Sequence, residues 1–129
     1  MSLFKNLFGF SEEENQSSKI GWRQLTDLGQ LNEISDISNE KTVVIFKHST
    51  TCGISKFVWN RFQKEYDIPN EQMELYYLDL LAYRSISNEV AERFNVIHQS
   101  PQVLVIKDGV CVYNASHESI IAEDLKKFV

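Results

Sequence analysis

Cysteine is scarce. Cys52 and Cys111 are the only two in 129 residues, which excludes a small disulfide-stapled scaffold and a four-cysteine zinc site. Basic charge is also short, with 13 Lys and Arg against 18 Asp and Glu and a formal net charge of -5. An acidic chain without a Lys/Arg cluster repels phosphate backbones, so nucleic acid is not an expected partner. No apolar run approaches the roughly 20 residues that cross a bilayer, so stable membrane insertion is not expected. There is no internal repeat and no low-complexity tract. What remains is ordinary: 43% hydrophobic and 24% charged residues, the balance of one soluble globular domain of common size.

The chain divides into residues 1–18, a tail and linker, and 19–129, the domain. Leu3, Phe4, Leu7, Phe8 and Phe10 lie close together, but Lys5, Asn6 and Gly9 interrupt them and Ser11-Glu12-Glu13-Glu14 follows. A secretory signal needs about 7–15 continuous apolar residues, so a cytoplasmic protein is expected. The tail reads as a loosely docked segment, with a short amphipathic foot on a membrane surface as the other reading.

Periodicity orders the rest. Ile20 and Trp22 alternate like a short strand. Leu28, Leu31 and Ile34 follow at helical spacing, with Thr26 or Asp27 as cap. Thr42 to Lys47 is a continuous β-branched run, as in a central strand covered on both faces. A helix then carries Ile54, Phe57, Val58, Phe62 and Tyr66 at spacings of three and four. Met73 to Leu80 reads as a strand, and Ile86, Val90 and Phe94 mark a helix. Pro101 opens a strand over Gln102–Lys107, Asp108-Gly109 signals a hairpin, and Val110 to Tyr113 returns. Ser116 caps a last helix with Ile121, Leu125 and Phe128 inward. The order β-α-β-α-β-α-β-β-α implies a mixed central sheet flanked by helices on both faces.

Cys52 falls after the buried strand, at the first turn of a helix. Helix N-termini carry unpaired N–H groups and partial positive charge, so an anion is favoured there. A thiolate is an anion, and it is the nucleophile of disulfide exchange. Thr50, Thr51 and Gly53 are small or hydroxylated and leave room for a substrate. Ser55 stands where a second cysteine would complete a C-x-x-C pair, so the chemistry is that of one thiol. The plainer alternative is a buried, inert cysteine. That reading suits Cys111 in the hairpin's return strand, where alternation groups it with Tyr113 and sets Val110 and Val112 on the other face.

These residues carry a resemblance. A cysteine after the second strand and a proline opening the strand of a terminal hairpin resemble the thioredoxin fold. Phe46-Lys47-His48-Ser49-Thr50-Thr51-Cys52-Gly53-Ile54-Ser55 is similar to the F-K-H-S-x-x-C-P-I-S segment of the monothiol bacilliredoxin, or YtxJ-like, family. His98-Gln99-Ser100-Pro101-Gln102 and Ser116-His117 resemble that family's H-x-S-P-Q and S-H blocks. The resemblance spans roughly Trp22 to Phe128 and departs at Gly53, where the family has proline.

The resemblance implies a thioredoxin-like domain in redox homeostasis that removes bacillithiol, a low-molecular-weight thiol, from protein mixed disulfides. Cys52 would be the nucleophile. Thr51, Gly53, Ile54, Ser55, Ser100 and Pro101 would contact substrate, with Pro101 cis. His48 is a candidate proton relay or a structural histidine; Lys47, on the opposite face by strand alternation, does not serve Cys52 alongside it. His98 and His117 read as structural. No bound cofactor and no metal are implied. Bacillithiol is co-substrate, and bacillithiol or another redox protein is reductant.

Two other readings stay open. Cys52-Gly53-Ile54-Ser55 is close to the C-G-F-S motif of monothiol glutaredoxins, which carry an iron–sulfur cluster between two chains. Their G-G-x-D segment is missing here, where Tyr113-Asn114-Ala115-Ser116-His117 stands. A non-catalytic thioredoxin-fold adaptor, with Cys52 a modified thiol, is the third.

Overall fold

The structure, a computed structural model, describes residues 20–129; the expected tail lies outside these. Among these described residues five strands and three α-helices alternate: β1 Arg23–Gln24, α1 Gly29–Ile37, β2 Thr42–His48, α2 Gly53–Glu65, β3 Met73–Asp79, α3 Arg84–Arg93, β4 Gln102–Lys107 and β5 Val110–Ser116. Two 3-10 segments, His117–Ser119 and Ala122–Phe128, close the chain. The sheet order is β1-β3-β2-β4-β5. β1, β3 and β2 run parallel, whereas β4 runs antiparallel to β2 and β5 antiparallel to β4.

All seven residues of β2 are buried, as a strand with continuous hydrophobicity and helices on both faces requires. Its side chains alternate between two cores. Val44 and Phe46 pack with Val103, Val105, Val58 and Phe62 on the α2 side. Val43 and Ile45 pack with Leu104, Ile106, Leu31, Ile34, Ile86 and Val90 on the α1 and α3 side. At the start of α1, Asp27 accepts from the Gly29 N–H at 3.0 Å. Gln30 Oε1 reaches back to the N–H groups of Thr26 and Asp27 at 2.8 and 3.0 Å. These bonds brace the turn that enters the helix, whose N-cap is Leu28 without a side-chain bond, one residue after the expected Asp27.

Four details depart from expectation. The first strand is Arg23–Gln24, just beyond Ile20 and Trp22, which instead pack in the α2-side core. The inward stripe of α2 is Ser55, Val58 and Phe62, whereas Ile54 and Phe57 are 51% and 59% exposed. The two exposed apolar side chains mimic a core stripe set one residue out of phase. The last element is 3-10 and not α, and Ser116 makes no side-chain cap. Ala122, Leu125 and Phe128 point inward at the three-residue period of that helix, and Ile120 is buried where Ile121 was expected.

The fourth concerns Cys111. The β4–β5 register slips between Val105 and Ile106, so that Ile106 faces Cys111 while Val105 faces Tyr113. The extra residue is a bulge, and it breaks the alternation. Cys111 therefore packs on the α3-side core and Tyr113 on the α2-side core, not together as strict alternation implied.

Candidate active site at the start of the second helix

The carboxyl end of β2 and the amino end of β4 meet because those strands are antiparallel. Their last pair is Lys47 with Gln102. His48 pairs with Asp79 at the end of β3, and Gln102 pairs with Ser116 at the end of β5. One edge of the sheet thus gathers the loop 49–52, the Ser100–Pro101 loop and His117. Helix α2 departs from this edge, and the Ser100–Pro101 bond is cis.

Cys52 is the N-cap of α2, with extended φ and ψ of -96° and 127°. Its N–H donates to the Ser49 carbonyl at 3.2 Å, and its own carbonyl accepts from the Lys56 N–H at 3.0 Å. The thiol is half-buried, while Thr51, Gly53 and Ile54 around it are exposed. A Cβ built on Gly53 would meet nothing within 4 Å, so no crowding demands glycine there.

Ser55 is placed differently from its neighbours. It is fully buried, accepts from the Ser49 N–H at 3.0 Å and lies 2.7 Å from His48 Nδ1. It offers no surface to a ligand. Helical spacing explains this, since Ser55 shares the face of Val58 and Phe62. Its hydroxyl ties the end of β2 to the loop bearing Cys52. Pro101 is buried and Ser100 half-buried. The Ser100 hydroxyl has no hydrogen-bond partner among the described residues.

His48 is buried and stacked on Trp59, with centroids 5.6 Å apart and planes at 17°. Tyr77 flanks it at 5.8 Å. Burial lowers its pKa, Asp79 raises it and Lys56 lowers it further, for a net downward shift. The ring is therefore held toward its neutral form and can accept or pass a proton. Sequence reasoning passed over Trp59 and Asp79. The signal for Trp59 was its position four residues after Ser55 on α2.

Lys47 and His48 do lie on opposite faces. Lys47 is fully buried, and its Nζ sits 3.0 Å from His98 Nδ1. That bond holds His98 on the α3 side of the sheet, away from His48, so the two imidazoles do not converge on a metal with Cys52. Among the described residues no group of three or more His, Cys, Asp or Glu is arranged to hold a metal ion.

Cys111 is far from Cys52. It faces Ile106, which pairs with Val43, at the other end of β2 from His48. Five strand steps of about 3.3 Å separate those levels, roughly 16 Å. A disulfide needs Cα atoms within about 7 Å. The Cys111 thiol contacts the Tyr113 carbonyl at 3.2 Å. Burial pushes its pKa up, against the two backbone contacts. No described helix is long and apolar enough to cross a membrane.

Comparison with solved structures gives the same architecture. A thioredoxin-fold protein described as a candidate oxidoreductase superposes with a TM-score of 0.71 at 28% identity, over 87% of this chain and 95% of the other. Thioredoxin from Schistosoma mansoni matches with a TM-score of 0.63 at 22% identity, over 86% and 98% of the two chains. Thioredoxin from Malassezia sympodialis matches with a TM-score of 0.62 at 22% identity, over 81% and 84%. The family model described as monothiol bacilliredoxin BrxC matches residues 23–125, which include Cys52, the cis-proline loop and His117. The domain has the thioredoxin fold, its relatives support thiol oxidoreductase chemistry, and the chain belongs to the monothiol bacilliredoxin BrxC family.

Proposed function

We propose that this protein removes bacillithiol from protein mixed disulfides in the cytoplasm, using Cys52 as its one nucleophile. The observation that carries this reading is a single half-exposed thiol at the N-cap of α2, with buried Ser55 three residues on and Cys111 at the far end of the sheet. A thiol without a resolving partner must hand its cargo to an external thiol. The Cys52 thiolate attacks the bacillithiol sulfur of the modified target. A Cys52–bacillithiol disulfide forms, the target disulfide breaks, and the target sulfur leaves as a thiolate that takes a proton. A second bacillithiol, as thiolate, attacks the bacillithiol sulfur on Cys52. This releases bacillithiol disulfide and restores the Cys52 thiolate.

The chain's own residues supply position. Cys52 stands half-buried at the N-cap of α2, with exposed Thr51, Gly53 and Ile54 around it. The Ser49–Ser55–His48 bonds fix the loop that carries it. The cis-proline loop offers backbone to an extended target, which can pair with it as a strand would. The test is release of bacillithiol from a modified protein, followed by mass spectrometry, with Cys52→Ser as control. Loss of the bacillithiol adduct only with the wild type supports the reading.

A further inference from the structure

The loop between α3 and β4 is braced from inside the sheet. Lys47 and Gln102 are cross-strand partners. Lys47 Nζ reaches His98 Nδ1 at 3.0 Å, and Gln102 Nε2 donates to the Ile97 carbonyl at 3.0 Å. From the other side, the His117 N–H donates to the Pro101 carbonyl at 2.9 Å. These bonds bracket residues 97–101, whose outer side carries exposed Ile97 and Gln99.

Lys47 is the costly member. It is fully buried, yet forms no ion pair with a described acidic residue. The rest of β2 is apolar but for its end residues, and an aliphatic side chain would suit this position better. An unpaired buried charge is destabilising. Burial and then Arg84 bring its pKa down to about 8. His98 is also lowered, by burial, Lys47 and Arg84, so the ring is neutral at neutral pH. The ammonium donates to Nδ1, which leaves the ring proton on Nε2.

We propose that Lys47 is a positioning residue for target docking: through His98 it holds loop 97–101 in the form that presents the Ser100 backbone to the disulfide-bearing chain. The proposal rests on the thiol–disulfide reading above. Lys47 acts on docking of the target and not on the thiol.

The experiment uses the full chain with Lys47→Met, His98→Leu and His98→Asn, the last keeping an acceptor near the Nδ1 position. Steady-state kinetics on a bacillithiolated protein are read beside the rate of Cys52 alkylation by iodoacetamide and the melting temperature. Lys47→Met and His98→Leu should each raise KM about tenfold, the loss expected for one charge-assisted hydrogen bond. Their kcat and alkylation rates should stay within about twofold of wild type. His98→Asn should stay near wild type, and Lys47→Met should melt no lower than wild type. Unchanged KM in Lys47→Met and His98→Leu overturns the assignment, as does an equal fall in alkylation and turnover. Should Lys47→Met fail to fold, the assignment is overturned for Lys47 as a docking device, and the His98 pair measures the loop alone. A wild-type protein inert toward the modified target overturns the thiol reading itself, which the same assay distinguishes.

Discussion

His48 Nδ1 and Ser55 Oγ lie 2.7 Å apart across the turn that presents Cys52. Both side chains are buried, and the same hydroxyl accepts the Ser49 N–H. Ser55→Ala leaves that N–H and a ring nitrogen without their partner. Such losses cost about 1–3 kcal/mol. We expect a fall in urea stability of that size and slower turnover, while Cys52 remains alkylatable. Equilibrium unfolding with a parallel turnover assay checks this.

Gly53 is this chain's departure from the segment it resembles, which has proline there, and the backbone around it already suits proline. Cys52 has the extended conformation that a residue before proline requires, and a side chain on residue 53 meets open space. The first helical position also has no intrahelical N–H bond to lose. Gly53→Pro should stabilise the fold by about 0.4–1 kcal/mol and leave disulfide chemistry intact. Thermal melts and bacillithiol release measure both. Strong destabilisation would contradict the geometry.

Cys111 should not act with Cys52. Cys111→Ser should retain activity and Cys52→Ser should lose it. After mild oxidation, mass spectrometry should find adducts mainly on Cys52 and little intramolecular bridge. Because burial raises the Cys111 pKa, Cys111 should also alkylate more slowly than an exposed cysteine at neutral pH.

Acid should weaken the fold through buried His48 and half-buried His98. His48 and His98 both have lowered pKa values. Between those values and the ordinary value of about 6.5, the unfolded chain binds protons that the folded chain does not. Stability therefore rises with pH through that window and is lost as pH falls through it. Lys47, lowered from 10.5 to about 8, gives the same sign between those two values. Urea midpoints at pH 5 and pH 7 should differ in this direction, and less so in His98→Asn.

Much of this was legible in the residues. The run Thr42–Lys47 announced a strand covered twice, and Asp108-Gly109 a hairpin, because both signals are local. The placement of Cys52 at a helix start followed from the change of period beside it. Other features were not legible. Cys111 and Tyr113 part company at a bulge that depends on pairing with β4, and nothing in Val110–Tyr113 encodes that slip. Ser55 reads as a contact residue beside Cys52, yet the phase of α2 turns it inward, and the exposed Ile54 and Phe57 obscured that phase. The bond from Lys47 to His98 joins residues 51 apart in sequence, so only the β2–β4 register reveals it.

The central claim is that Cys52 is a redox nucleophile and not a cluster ligand. The most direct measurement follows bacillithiol on a modified protein in the presence of wild-type enzyme and Cys52→Ser. It is read beside anaerobic reconstitution with iron, sulfide and either glutathione or bacillithiol. The account predicts Cys52-dependent release, a transient Cys52–bacillithiol adduct and a colourless monomer. A stable coloured dimer with no release would contradict it.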